Sequence, residues 1–126
     1  MGLDIFFFRR NRNENIESEE IGYFRKVNFL VRFFGDRGFN VEKQIPLEIT
    51  KEMCEDLEER CRAVLNNIIL CEELLPTMDG FFFGSTAYDK YYIQDVEHVL
   101  KKLQEDIIPA FDNLKDTEYI TFETWY

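Results

Sequence analysis

The residues that could carry chemistry are few and lie far apart in the sequence. Asp4 interrupts an apolar stretch near the start of the chain, and Arg25 interrupts a second apolar stretch. Because an unpaired buried charge is costly, we expect these two side chains to pair with each other if both point inward. His98 is the one histidine, and Asp89 lies too far along the same predicted helix to act with it on one atom. The sequence therefore predicts no catalytic residues.

The second candidate for a functional site is a segment with two glycines that precedes a predicted helix. Residues 80–86 read GFFFGST, whereas a phosphate-binding P-loop would need a different glycine spacing and a lysine. The structural interpretation is a tight turn at each glycine, with phenylalanine rings in the core and Ser85 and Thr86 at the helix start. Thr86 and Asp89 match the spacing of a capping box, with aspartate in place of glutamate. A small anion bound at this helix start is the alternative.

These segments form a pocket for a small ligand if the fold brings them together. The candidate ligand-binding residues are Asp4, Arg25, Ser85, Thr86 and Asp89. A concave site lined by such side chains would indicate a small ligand-binding protein or an enzyme.

Net charge indicates a different class of function. The 126 residues include 25 acidic and 15 basic ones, for a formal net charge of −10. This excess argues against direct nucleic-acid binding and against binding to an anionic membrane surface. Much of it lies on the outer face of a predicted helix, which is either a solvated surface or a face for a basic protein partner. The candidate partner-binding residues are Glu52, Glu55, Asp56, Glu59, Tyr88 and Tyr91.

The cysteines indicate neither a metal site nor a disulfide. They are Cys54, Cys61 and Cys71, with no C-x-x-C pair and a single histidine to join them. We therefore expect free thiols in a reducing, cytoplasmic setting, and no metal or cofactor. No apolar run is long enough to span a membrane, and the apolar residues 3–8 precede two arginines, the reverse of the order in a signal peptide.

Periodicity predicts three main helices. Two terminal strands are predicted as well, the first from its content of Ile and Phe and the second from alternation. The expected helices cover residues 18–34, a four-turn segment between Thr50 and Asn66, a short piece at residues 69–75, and a segment from Thr86 that ends or kinks at Pro109. The expected strands cover residues 3–8 and 119–126, with a short third strand at residues 41–45 or 81–83.

The terminal strands determine the predicted fold. A lone strand cannot satisfy its backbone groups, so each terminal strand needs a partner. We expect a single α+β domain over residues 1–126, with about three main helices packed on a small antiparallel sheet that pairs the N- and C-terminal strands.

Several segments resemble one family. They are MGLD at residues 1–4, GYFRKVN at residues 22–28, LLPT at residues 74–77, and GFFFGST at residues 80–86, followed by Tyr88 and Asp89. The chain resembles a group of small proteins encoded by phages and prophages, some of whose members carry a histidine and a tryptophan where this sequence has Val31 and Phe33. The resemblance implies a mobile-element origin and action in the cytoplasm of a bacterial host. It carries over no catalytic residue.

Charge and resemblance together favour a non-enzymatic accessory protein. We expect it to bind a host or phage protein, with the acidic helical face as one route. The alternative is the small ligand-binding protein or enzyme with a pocket near Asp4, Arg25, Ser85 and Asp89.

Overall fold

Four strands form one antiparallel sheet in a computed structural model that describes residues 2–80 and 83–126. The strands are β1 (Asp4–Asn11), β2 (Glu19–Arg25), β3 (Leu47–Ile49) and β4 (Glu118–Trp125). Their order across the sheet is β2-β1-β4-β3. β1 pairs with β4 along its whole length, from Asp4 opposite Trp125 to Asn11 opposite Glu118. The predicted α+β fold, with the terminal strands paired, is confirmed.

The helices form the second layer of the fold. They are α1 (Asn28–Gly35), α2 (Lys51–Asn66), α3 (Cys71–Leu74), α4 (Lys90–Lys102) and α5 (Ile108–Asp112). A 3₁₀ turn at Ile68–Leu70 precedes α3, and a π-helical segment at Leu103–Ile107 joins α4 to α5. The predicted N-cap of α2 is confirmed, since Thr50 Oγ1 accepts a hydrogen bond from Met53 N at 3.2 Å.

Phenylalanine rings fill the space between the sheet and α1. Phe34 of α1 stacks on Phe122 of β4 with 4.3 Å between ring centroids, and Phe7 of β1 meets both rings edge-on. All three side chains are fully buried, and burying each such side chain stabilises the fold by about 2 kcal/mol. The sheet therefore has one face sealed by aromatic packing.

The prediction of one helix over residues 18–34 is wrong in its first half. Residues 19–25 form β2, in which Gly22 and Phe24 are buried while Tyr23 and Arg25 are exposed, the alternation of a strand. Lys26 then adopts a positive φ of 59°, which a helix cannot continue through, and α1 begins two residues later. Pairing with β1 overrides the weak strand propensity of the glutamates and glycine in this stretch.

The third strand is also not where the sequence placed it. Residues 41–44 form turns, and β3 begins after Pro46 instead. The other predicted position, residues 81–83, lies outside the described residues except for Phe83, which is buried.

Pro109 does not end the last helix. The π-helical segment shifts the helical phase just before it, so that Pro109 falls in the first turn of α5. Because residues 90–112 are helical without a break, the missing N–H of Pro109 leaves a carbonyl of the preceding turn without its helical donor. A π-helical turn and a proline are both recognised causes of a kink, which was the other expected outcome.

Candidate functional site

β2 is an edge strand with one side open among the described residues. Lys26 N donates to Leu3 O at 2.8 Å, so the N–H of this peptide points toward β1. Because the direction of backbone groups alternates along an antiparallel strand, the N–H and C=O groups of Tyr23 and Arg25 point away from β1. These groups are a template on which a further strand can form hydrogen bonds. We call this side of β2 the open edge.

A groove of about 510 Å³ runs beside the open edge. Residues 19–23 of β2 form one wall, with Arg9 at its end. The other wall is the helical layer, where the lining residues recur at spacings of three and four and so lie on one helix face. They are Lys102, Glu105, Asp106, Pro109, Ala110 and Asn113. We call this feature the β2 groove.

Two backbone irregularities shape the β2 groove. Phe7 lies opposite Gly22 but Phe8 lies opposite Glu20, so the bulge leaves Ile21 without a cross-strand partner. Gly22 also permits close packing on the π-helical segment, because a Cβ there would lie 3.0 Å from Ile107 Cδ1. β-Bulges and π-helical turns are frequent beside functional sites.

The β2 groove has more negative than positive charge. Arg9 pairs with Glu19 at 2.6 Å, and Lys102 Nζ pairs with Asp106 at 2.8 Å. The two other carboxylates of the groove are on Glu20 and Glu105, and neither has an ion-pair partner among residues 2–80 and 83–126. Four carboxylates and two cations leave the groove with a formal charge of −2, which favours a basic ligand.

The predicted ligand-binding residues divide between two cavities that share Arg25. Asp4 and Arg25 line a cavity of about 610 Å³ at the end of the sheet. Arg25, Ser85 and Asp89 line another of about 230 Å³ beside the start of α4. Thr86 is not among the residues that line either cavity. Each of these residues except Thr86 therefore lines a cavity that Arg25 also lines, but the structure does not form the single four-residue pocket that the sequence suggested.

Asp4 and Arg25 form an ion pair, but they do not point into the core. Arg25 Nη1 lies 3.3 Å from Asp4 Oδ1, and about half of the Arg25 side chain is exposed. The two residues are cross-strand neighbours on the sheet face opposite the core, because Ile5 and Phe24 occupy the inner positions. The inward orientation considered from the sequence is therefore wrong. Tyr23 also donates its hydroxyl to Asp4 Oδ1, and this hydrogen bond raises the pKa of Tyr23.

The polar residues before α4 mostly stabilise local structure. Asp89 is the N-cap and accepts hydrogen bonds from the backbone N–H groups of Tyr91 and Tyr92, at 3.0 and 3.2 Å. The capping box that was expected to begin at Thr86 is therefore wrong, and the helix begins at Lys90. Ser85 Oγ accepts from Ala87 N at 3.0 Å. These contacts engage Asp89 Oδ1 and Ser85 Oγ in the local structure at the start of α4.

The predicted partner-binding carboxylates on α2 differ in their availability. Glu52, Glu55 and Glu59 are exposed. Asp56 is held by Arg37 at 2.8 Å and by Arg60 at 3.2 Å, so its charge is neutralised.

The two candidate tyrosines have different surroundings. Tyr91 is 62% exposed. Tyr88 is half-buried, packs edge-on against Tyr92, and accepts a hydrogen bond on its hydroxyl from Thr77 N. Tyr88 therefore supports the fold, while Tyr91 is the tyrosine available at the surface.

The thiols are buried in the helical layer. Burial raises the pKa of Cys54 and of Cys61 to about 12, so both are protonated at neutral pH. Within the described parts of the chain, no group of three or more His, Cys, Asp and Glu side chains could hold a metal ion. In the same residues, no helix combines the length and apolar composition needed to cross a membrane.

Comparisons of the chain with protein-family models, curated proteins and solved structures found no match. The resemblance to phage and prophage proteins therefore stays a prediction.

The sequence prediction missed the β2 groove because it placed residues 18–34 in one helix. Residues 22–25 read Gly-Tyr-Phe-Arg, which is not a clear apolar–polar alternation, so their alternation of buried and exposed side chains is visible only in the structure. Glu105 carries no sequence signal of its own, because it lines a groove with β2 only in the folded chain.

Proposed function

We propose that this protein is a non-enzymatic binding protein that captures an extended, basic segment of a protein partner as a fifth strand on the open edge of β2. The observation that carries this proposal is that the open edge faces a groove of about 510 Å³ with a helical second wall. Strand addition obtains its affinity from main-chain hydrogen bonds, and the adjoining groove selects alternate side chains.

The charge of the β2 groove supports a partner rich in lysine or arginine. Glu20 lies on the strand wall and Glu105 on the helical wall, and neither carboxylate is neutralised by an ion pair with another described residue, so both can attract cationic side chains of an added strand. The net charge of −10 over the whole chain adds long-range attraction for a basic partner. The resemblance stated above supports a host or phage protein as that partner, in the cytoplasm of a bacterial cell.

The acidic side of α2 is a second candidate surface for a basic partner. Glu52, Glu55 and Glu59 are exposed on this helix, and none of them forms an ion pair with another described residue. This surface offers charge but no unpaired strand, so it would bind through electrostatic contacts that added salt screens.

Peptide binding separates these two surfaces. We would measure fluorescence anisotropy with a short labelled peptide that alternates lysine and valine, and with a counterpart that alternates glutamate and valine. The Glu20→Lys/Glu105→Lys variant reverses two charges in the β2 groove, and the Glu55→Lys/Glu59→Lys variant makes the same change on α2. We expect the groove variant to weaken binding of the basic peptide about tenfold or more, and the α2 variant by about twofold.

Two results would overturn the groove as the binding site. If the α2 variant loses more affinity than the groove variant, the acidic helical face is the binding surface. If the basic peptide binds no better than the acidic one, neither surface selects a basic strand. All four positions are exposed, so we expect both variants to fold. Circular dichroism of each variant checks this.

A further inference from the structure

The sheet has an inner face, on which the helices pack, and an outer face. Ile5 and Phe7 of β1 point into the core and are fully buried. Because side chains alternate between the two faces of a strand, Phe6 and Phe8 point to the other side. Tyr23 of β2 is the cross-strand partner of Phe6, so it points the same way. We call this side of the sheet the outer face.

Aromatic side chains occupy positions of the outer face where polar ones are expected. An antiparallel sheet with one solvated face normally alternates apolar and polar residues along each strand, but β1 reads IFFF at residues 5–8. Such a near-continuous apolar run is typical of a strand that is covered on both faces. The ring centroid of Phe6 lies 5.5 Å from that of Phe8 and 5.2 Å from that of Tyr23. It lies 6.2 Å from that of Trp125, whose side chain is 69% exposed. We call these four side chains the aromatic patch.

The charged residues beside the aromatic patch are paired within the chain. Glu123 accepts hydrogen bonds from Arg10 on both carboxylate oxygens, at 2.7 and 2.8 Å, and from Thr121 Oγ1 at 2.6 Å. Glu123 is 6% exposed and Thr121 is 2% exposed, although both lie on the outer face, opposite Phe6 and Phe8. At the other end of the patch, Asp4 is paired with Arg25. A partner can therefore cover these four charges without leaving one of them unpaired.

Charge favours a second copy of this chain as that partner. The chain carries a formal net charge of −10, so two copies repel each other over most of their surfaces. The two ion pairs beside the aromatic patch have a formal charge of zero, whereas the β2 groove has −2. A basic partner would be attracted to the acidic surfaces in preference to this one. The outer face is thus a surface on which two acidic copies can meet without charge repulsion.

The register of β1 makes the outer face complementary to itself. A twofold axis that lies between two such faces and crosses β1 midway between Phe6 and Phe8 places Phe6 of each copy opposite Phe8 of the other. Position 4 then faces position 10, because both are equally far from the axis. Asp4 of one copy therefore lies opposite Arg10 of the other, which brings unlike charges together. An interface about a twofold axis needs this kind of self-complementarity.

The same axis pairs the outward aromatic residues of β4. Trp125 is the cross-strand partner of Asp4, and Tyr119 is the cross-strand partner of Arg10. Trp125 of one copy therefore lies opposite Tyr119 of the other, so that the exposed indole gains an aromatic neighbour.

We propose that the outer face joins two copies of this chain in a face-to-face homodimer. The two sheets pack about 10 Å apart, as in a β-sandwich, with the aromatic patches between them. The three long strands give the face a flat area of roughly 400 Å² per copy, which is in the range of small, reversible interfaces. The open edge of β2 lies in the plane of the sheet and stays free, so the dimer does not depend on the function proposed for the β2 groove.

The association of the full chain with itself is the direct test. Sedimentation velocity from about 1 μM to about 1 mM protein should show a monomer–dimer equilibrium with a dissociation constant of about 100 μM or below. Trp125 is the single tryptophan, so its fluorescence reports the interface alone. We expect its emission to shift to shorter wavelengths over the same concentration range, because the dimer removes the indole from water.

Variants on and off the outer face assign the interface. Trp125→Glu and Phe8→Glu should each raise the dissociation constant about tenfold or more, because each places an unpaired carboxylate between the sheets. Asp4→Asn should raise it several-fold. Ile69→Glu is the matched control, since it makes the same kind of change at an 84% exposed side chain in the 3₁₀ turn before α3. It should leave the dissociation constant unchanged, and circular dichroism checks that each variant folds.

Three results would overturn this proposal. They are a protein that stays monomeric at about 1 mM, a dimer that persists in both Trp125→Glu and Phe8→Glu, and an equal loss of dimer in Ile69→Glu. A dimer that persists in the two outer-face variants would be joined elsewhere, such as between two open edges. Trp125→Glu should still bind the lysine–valine peptide as the unmodified protein does, so failure of the dimer and failure of the β2 groove can be distinguished.

Discussion

The two edges of the sheet are built differently. β3 is three residues long and follows Pro46, so it offers little backbone for another chain to pair with. β2 is seven residues long, and its open edge faces a groove instead of being covered. Proteins commonly protect sheet edges by making them short or by covering them. The contrast leaves more unpaired backbone on the β2 side than on the β3 side, and the β2 side is the one on which we propose strand addition.

The first prediction compares an ion pair at the centre of the sheet with one at its β3 edge. Arg10 on the central strand β1 makes a two-point contact with Glu123, at 2.7 and 2.8 Å, and the Glu123 side chain is 8% exposed. Arg12 pairs with Glu48 of the β3 edge, and both of those side chains are more than half exposed. Arg10→Met should lower the free energy of unfolding by about 3 kcal/mol, because it leaves a buried carboxylate without its cation.

Arg12→Met is the matched control for that change. It should cost about 0.5 kcal/mol, because water already screens the exposed pair. Urea unfolding of both variants gives the two values. Equal losses of unfolding free energy in the two variants would show that the buried ion pair stabilises the fold no more than the exposed one.

The second prediction tests the close packing beneath the open edge. Gly22→Val should lower the free energy of unfolding by about 2 kcal/mol, because the added side chain meets Ile107 at the π-helical segment. It should also weaken binding of the lysine–valine peptide, since the two walls of the β2 groove must shift.

Gly38 near β3 provides the comparison for Gly22. Its φ of 112° disfavours any side chain, but an added Cβ would find no atom closer than 3.7 Å. Gly38→Ala should therefore cost about 1 kcal/mol through backbone strain and leave peptide binding unchanged. A loss of peptide affinity in Gly38→Ala would remove the link between the packing at Gly22 and the open edge.

The sequence was a good guide where a single local pattern dominated. Thr50 marked the start of α2. The Ile and Phe content of residues 3–8 and the alternation of residues 119–126 marked the two terminal strands, whose pairing follows from the need of each strand for a partner. It was a poor guide where tertiary pairing decided between two patterns. Residues 19–25 suit a helix by spacing and become a strand because β1 is beside them.

The residues of the candidate sites could likewise be predicted only where a local pattern was enough. Asp4 and Arg25 were paired correctly from their charges, yet their outward orientation depends on register with Ile5 and Phe24, which spacing along one strand does not reveal. The β2 groove joins residues 19–23 to residues 102–113, and only the fold brings those segments together.

The third prediction concerns the two thiols that are buried in the helical layer. The pKa of Cys54 and of Cys61 is about 12 in the folded protein, against 9.0 for an ordinary thiol. Below pH 9 both states hold these protons, and above it the unfolded chain loses them first. The folded state then binds more protons, so the free energy of unfolding should fall as pH rises from 9 toward 12, by about 1 kcal/mol per thiol at pH 10.

Chemical unfolding at a series of pH values measures this slope. A Cys54→Ala/Cys61→Ala variant should be less stable at neutral pH because of the cavities it creates, but its stability should decline less steeply above pH 9. The same slope in both proteins would mean that these thiols do not control the alkaline limit.

Hydrogen exchange at the open edge tests the central claim most directly. The amides of Tyr23 and Arg25 point away from β1 and should exchange rapidly in the free protein. With the lysine–valine peptide bound, both amides should become protected, while those of Glu55 and Glu59 in α2 keep their free-state rates. Unchanged exchange at Tyr23 and Arg25 in the peptide-saturated protein would contradict strand addition at β2.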